Sequence, residues 1–210
     1  MSDNQEISKK TEAFLRQNYT PVPKTDSEEI LIAMINFLER YVSGAIPQRM
    51  ILDELLRTIH RTFGFQYLCI ALKEKDGMYR YKTSVGLTSE ATRALREIAY
   101  SDSDLFDESE YPSTVISENT RFYMAEGMPY KPGEEATYPR PAILMQKRNA
   151  PEDMLEGDFF NVFVRGARNE VLGYLEIGVT RNYKLPEKRS LIWLETIARI
   201  LAIIITSEGV

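Results

Sequence analysis

Polar residues fill positions 1–25, and Pro21 and Pro23 near their end disfavour a helix, so this stretch reads as a polar N-terminal arm. Apolar residues then recur at helical spacing. Leu31, Ile35, Leu38 and Val42 step by four, three and four, flanked by Ile30, Met34, Phe37 and Tyr41. The helix opened by Asp26 and Ser27 is therefore apolar over more surface than one packing face needs. Gly44 closes it and Pro47 opens the next, which runs over 48–63 with Leu52, Leu55, Leu56, Ile59 and Phe63 and stops at Gly64. The period then falls to two. Residues 66–73 and 78–85 read as a hairpin around a turn at 75–77. Thr88 or Ser89 caps a short helix reaching about Tyr100, with Ala91, Leu95, Ile98 and Ala99 inside.

Residues 101–158 lose this regularity. Six of the ten prolines fall here, and 101–110 carries five carboxylates, which reads as a solvated loop. Only 113–120, 121–126 and 142–148 suggest short elements. So long an irregular stretch is predicted to be a loop-rich lid insert. Alternation returns at 158–166 and 171–179, a second antiparallel hairpin, and a last helix spans 187–207. Strands in antiparallel pairs with helices grouped to one side predict an α+β fold, one domain over 26–207.

The two faces of the last hairpin differ. Phe160, Val162, Val164, Leu175, Ile177 and Val179 make one face purely apolar, which must meet helices. Asn161, Phe163, Arg165, Tyr174 and Glu176 mix aromatic, amide and charged groups on the other. That face is either solvated or lines a cleft. The insert contributes Tyr111, Phe122, Tyr123, Tyr130 and Tyr138, which need an apolar surface to lie against, and this favours a cleft. The candidate ligand-binding residues are accordingly Tyr81, Tyr123, Tyr138, Phe163, Arg165, Tyr174 and Glu176. In the last helix Leu191, Leu194, Ala198, Leu201 and Ile205 form a heptad seam, and Trp193, Ile197, Ile200 and Ile204 form a second apolar line. Helices apolar on two sides predict either packing between sheet and first helix or an intermolecular bundle, and the dimer is the favoured expectation.

Composition narrows the chemistry. The 210 residues carry a net charge of −5, which disfavours binding to a phosphate backbone. One cysteine, Cys69, excludes an internal disulfide, and one histidine, His60, excludes mechanisms that need two imidazoles. Cys69 reads as a buried thiol, His60 as a structural histidine, and the acidic run lacks the spacing of a calcium loop. No nucleophile-elbow, phosphate-loop, zinc-protease or dinucleotide motif occurs. The polar N-terminus lacks a signal-peptide core, and the run 200–205 is short for a membrane span, so a cytoplasmic, membrane-free setting is expected.

The helix 48–63 leading into FGFQYLCIALKEKDGMYRYKTSVGLT, and DFFNVFVRGARNEVLGYLEIGV followed by the long last helix, together resemble a GAF domain. The closing VLGYLEIG is the most specific part, and the resemblance spans roughly 28–207. It implies a central antiparallel sheet with terminal helices on one face, a loop-covered small-molecule pocket on the other, and dimerisation through the terminal helices. Departures from the better-known branches are also visible. Cys69 precedes Ile70 rather than a histidine, against bilin attachment. One cysteine cannot complete the thiol cycle of the methionine sulfoxide reductase branch, and the NKFDE signature of the cyclic-nucleotide branch is absent. Residues 183–190 replace the usual lead-in to the last helix.

The resulting expectation is a non-catalytic, homodimeric sensor that binds a small molecule, names no cofactor, and signals to a domain in cis or in trans. The alternatives are a dimerisation or protein-interaction module with a filled interior, a Cys69 redox enzyme, and a haem sensor using His60.

Overall fold

The computed structural model describes residues 26–126, 128–144 and 146–208. The expected N-terminal arm, 1–25, lies outside the described residues. Helix α1 (Asp26–Val42) is followed by a 3-10 turn at 48–50 and α2 (Ile51–Phe63), which ends where Gly64 adopts a left-handed conformation at φ 67°. Strands β1 (Leu68–Lys73) and β2 (Tyr79–Val85) form the first hairpin. Helix α3 (Ser89–Glu97) begins where the Thr88 side chain accepts the Ala91 amide at 3.1 Å. It stops three residues short of the expected Tyr100, because Ala99 and Tyr100 extend as β3 and pair with β2. The acidic run keeps Asp102, Asp107, Glu108 and Glu110 exposed, as a solvated loop would, but departs from one at its start. Asp102–Phe106 form α4, and Asp104 closes a capping box with Ser101 and is buried.

The stretch 101–158 is not wholly a lid. It also contains β4 (Thr114–Val115) and β5 (Thr120–Tyr123), which join the sheet beside β6 (Phe159–Arg165). After β7 (Val171–Ile177), α5 (Lys188–Glu208) ends the described chain. The fold is α+β: one seven-stranded antiparallel sheet in the order β3-β2-β1-β7-β6-β5-β4, with helices against it. Gly173, in the closing motif of β7, is required by a close approach. A Cβ there would lie 2.2 Å from the Ala71 carbonyl oxygen of β1.

One hydrophobic core lies between the sheet and α1, α2 and α5. It joins Leu68, Ile70, Val162, Leu175 and Ile177 of the strands to Leu55, Ile59, Leu194, Ile197 and Leu201 of the helices. In α5 both apolar lines are largely absorbed by the chain itself: the seam is buried, and so are Ile197 and Ile204 of the second line. Helix α1 reverses the expected priority. Its flanking residues Ile30, Met34 and Phe37 are buried, whereas Leu31, Ile35 and Val42 of the stripe are exposed. By length and mean hydropathy, 1.7, α5 could cross a membrane, which the short run 200–205 did not suggest. Here it packs on β6 and β7 as a core helix does, and Glu195 on it accepts a 2.6 Å hydrogen bond from the Thr120 hydroxyl of β5.

Candidate functional site

The period of two that buries one face of the strands also fixes what stands on the other. Cys69, Glu176 and Asn161 are register partners across β1, β7 and β6, so they lie side by side on the face away from the terminal helices. Tyr81 of β2, Tyr174 of β7, Tyr123 of β5 and Phe159 of β6 share that face. The lid closes over them. Tyr100, Asp104, Leu105, Tyr111, Glu134, Thr137 and Tyr138 complete the wall of a small cavity of about 20 Å³, room for one water molecule.

Two buried carboxylates, each ion-paired to an arginine, tie the lid down. Asp158, fully buried at the root of β6, accepts the Ala125 amide at 2.8 Å, the Leu155 amide at 2.7 Å and the Arg148 guanidinium at 2.8 Å. Glu156 is likewise buried, accepting the Arg140 amide at 2.9 Å and its guanidinium at 2.8 Å. Between them, the turn Glu134–Thr137 hangs Glu134 over the cavity, preceded by Gly133 in a left-handed conformation.

Two carboxylates thus face one enclosure from opposite walls. Glu176 stands on the sheet and accepts a short hydrogen bond from the Tyr81 hydroxyl. Glu134 hangs from the lid and accepts from Tyr100, from Tyr111 at 2.9 Å and from the Lys131 amide at 2.7 Å. Burial pushes the Glu176 carboxyl up to about 7; the Tyr81 hydrogen bond pulls it down and the charge of Glu134 adds to the rise. Burial also raises the phenols of Tyr81, Tyr100, Tyr138 and Tyr174, so all four stay protonated at neutral pH. The Asn161 side-chain oxygen is buried with no hydrogen-bond partner, although the residue is only 2% exposed and lines the cavity. An unpaired acceptor in such a place costs free energy unless something occupies the space in front of it.

Of the seven candidate residues, the structure brings Tyr81, Tyr123, Tyr138, Tyr174 and Glu176 to this cavity. It does not bring Phe163 or Arg165 there. Phe163 packs beside it against Leu105 and Phe106, their rings 5.0 Å apart for the latter. Arg165 sits where β6 ends and binds the Asn119 side-chain oxygen at 3.1 Å and the Asn169 carbonyl at 3.1 Å, a role in holding turns. Alternation had placed both on the right face, but at the wrong end of it. Tyr100, Glu134 and Asn161 were not among the candidates. Asn161 had a signal, its place on the polar face of β6, while Glu134 had none in a stretch without period.

Cys69 is completely buried, and burial, reinforced by the charge of Glu176, pushes its thiol up, so the thiolate that redox chemistry needs is suppressed. His60 lies on α2, its Nε2 3.2 Å from the Gln66 carbonyl oxygen, away from the cavity. No group of three or more His, Cys, Asp or Glu side chains able to hold a metal occurs among the described residues. A larger groove of about 260 Å³ runs between α2, β2 and α3 past Asp53, Arg57, Lys82 and Arg96, but none of the unpartnered buried polar atoms faces it.

Neither a protein-family model nor a curated protein matches the sequence. Solved structures do. A GAF domain of a phosphoenolpyruvate-protein phosphotransferase from Coxiella burnetii superposes with a TM-score of 0.58 at 14% identity, over 88% of this chain and 97% of that one. A GAF domain/HD domain protein from Geobacter sulfurreducens gives 0.56 at 11% identity, over 80% and 97%. The GAF domain of a putative sensor histidine kinase from Pseudomonas syringae pv. tomato gives 0.52 at 10% identity, over 86% and 87%. With its sheet order, α1, α2 and α5 on one face and the lidded cavity on the other, this chain is a GAF-like domain in fold.

Proposed function

We propose that the chain is a sensory domain that takes a small molecule into the tyrosine-lined cavity and reports it through its terminal helices. The observation that carries this reading is the division of the cavity wall: Glu176 belongs to the sheet and Glu134 to the lid. A molecule held between them changes the equilibrium of the lid by whatever it binds better in one lid position than in the other. A route outward exists at the β4–β5 turn, where the hydroxyls of Ser117 and Thr120 both donate to Glu195 of α5. The similar structures from signalling proteins are in keeping with this role. The exposed Leu31, Ile35 and Val42 of α1 offer an apolar strip on which a second copy would pack. A non-catalytic role, a cytoplasmic setting and an output domain in cis or in trans belong to the same proposal.

One observation favours a second reading, a dimerisation or interaction module without ligand: the lid tyrosines leave only about 20 Å³ free. Native mass spectrometry of the freshly purified chain against its denatured mass separates the two. The sensor reading expects a non-covalent mass excess on each subunit of a dimer, lost in Tyr174→Ala. A dimer without added mass, whose lid amides exchange at the same rate with and without a metabolite extract, supports the module. The same excess on Tyr174→Ala would show that the cavity is not the binding site.

A further inference from the structure

The hydrogen-bond inventory of the cavity wall leans towards acceptors. The hydroxyls of Tyr81, Tyr100, Tyr111 and Tyr123 already donate, to Glu176, to Glu134 twice, and to the Leu105 carbonyl at 3.2 Å. What the wall still offers a ligand is acceptor capacity: two carboxylates, the unpartnered Asn161 oxygen and the electron-rich faces of the tyrosine rings. A wall of that kind is complementary to a positively charged donor. An anion would meet two carboxylates, and the donors left to a neutral acceptor are the Tyr138 and Tyr174 hydroxyls and the Asn161 amide nitrogen.

The chain also shows an ammonium group seated on this wall. Lys131 Nζ lies 5.6 Å from the ring centroids of both Tyr100 and Tyr111 and is ion-paired with Asp104. All three of those partners line the cavity. Lys131 is three residues before Glu134, on the same short turn, and its carbonyl accepts the Glu134 amide at 2.9 Å. One segment therefore carries both the lid carboxylate and a cation resting on the aromatic wall beside it.

We infer that the cavity is a receptor for a small organic cation, an alkylated ammonium compound, and that Lys131 is its tethered competitor, occupying the aromatic mouth while the lid is closed. The inference rests on the sensory reading and adds the ligand class to it. The free volume holds about one water, so a cation of several heavy atoms enters only when the 131–138 turn lifts. Lifting that turn removes the Lys131 ammonium and Glu134 together. When the turn settles back over the bound cation, Lys131 is displaced outward and Glu134 faces the cation from above, with Glu176 and Asn161 beneath it. Lys131, Glu134 and the sheet carboxylate thus change partners in a single exchange.

Choline chloride and tetramethylammonium chloride are the probes, titrated calorimetrically into the full chain at pH 8. Sodium chloride and sodium acetate of equal ionic strength are the controls. The expected result is saturable binding of the two ammonium probes only. Glu176→Gln weakens it roughly tenfold, since a neutral amide loses the charge-assisted contact. Lys131→Gln strengthens it severalfold by removing the competitor, and this side chain is partly exposed, so its replacement does not threaten the fold. Equal binding of the probes by wild type and Glu176→Gln would overturn the assignment of the site. Absence of probe binding in both wild type and Lys131→Gln would overturn the cation inference. In that case native mass spectrometry tells which reading has failed. A neutral or anionic molecule retained in the wild type leaves the sensor standing with another ligand class, whereas a bare chain with an unresponsive lid removes both.

Discussion

Leu175 and Glu176 are adjacent on β7 and enter opposite sides of one sheet. Leu175 meets the aliphatic core under α1, α2 and α5, where the strands contribute leucine, isoleucine, valine and phenylalanine. Glu176 meets tyrosines, a cysteine, an amide and a second carboxylate. The first side gains free energy from every buried carbon. The second holds a carboxyl whose ionisation burial disfavours and an oxygen with no partner. A closed surface that opposes its own ionisation is poor stability design and good binding design, because a ligand can supply what the wall lacks.

Damage to the aliphatic side should cost the most stability. Leu175→Ala should lower unfolding free energy by about 2–5 kcal/mol, the cost of a fully buried leucine and the cavity it leaves, read as a fall in the urea midpoint. The polar side responds with the opposite sign. The folded chain holds the Glu176 proton up to about pH 7, against an ordinary value of 4.5, so folding takes up a proton in that window and stability falls as pH rises through it. The full span is on the order of 3 kcal/mol. Cys69, Asn161, Tyr81, Tyr138 and Glu134 face this group from every packed element, and none of them carries a compensating positive charge. Glu176→Gln should therefore be more stable than wild type at pH 8, with the difference shrinking towards pH 5. Urea melts at the two pH values check it, and a variant less stable at pH 8 would contradict the account. The smallest effect sharpens the helix side. Leu31→Ser with Ile35→Ser should leave monomer stability within about 0.5 kcal/mol, since both side chains are exposed, yet shift sedimentation to the monomer if a second copy covers that strip.

The strands and their faces were legible because alternation is a local rule. Val162 and Asn161 go to opposite sides whatever surrounds them. The two apolar lines of α1 were equally visible, but not which one is buried. A helix with apolar residues around much of its surface can rotate, and packing against α2 and α5 turns Ile30, Met34 and Phe37 inward. In the lid the signal failed. Glu134 is one of the chain's 31 acidic residues and lies in a stretch without period, and nothing beside it in the chain marks it. Asp104 sat in a run that composition assigns to solvent, and a capping box with Ser101 together with Lys131 draws it in.

Local pattern was enough for the order of the main helices, the two hairpins and the separation of an aliphatic from a polar sheet face, because these follow from periods of two and 3.6 and from turn residues. Which tyrosines share an enclosure, that Glu134 hangs opposite Glu176, and that Phe163 and Arg165 stand apart from both came from long-range packing alone. Those meetings join residues from β2, β7 and an irregular lid across dozens of positions. They depend on the ion pairs of the buried carboxylates Asp158 and Glu156, whose arginine partners no local pattern specifies.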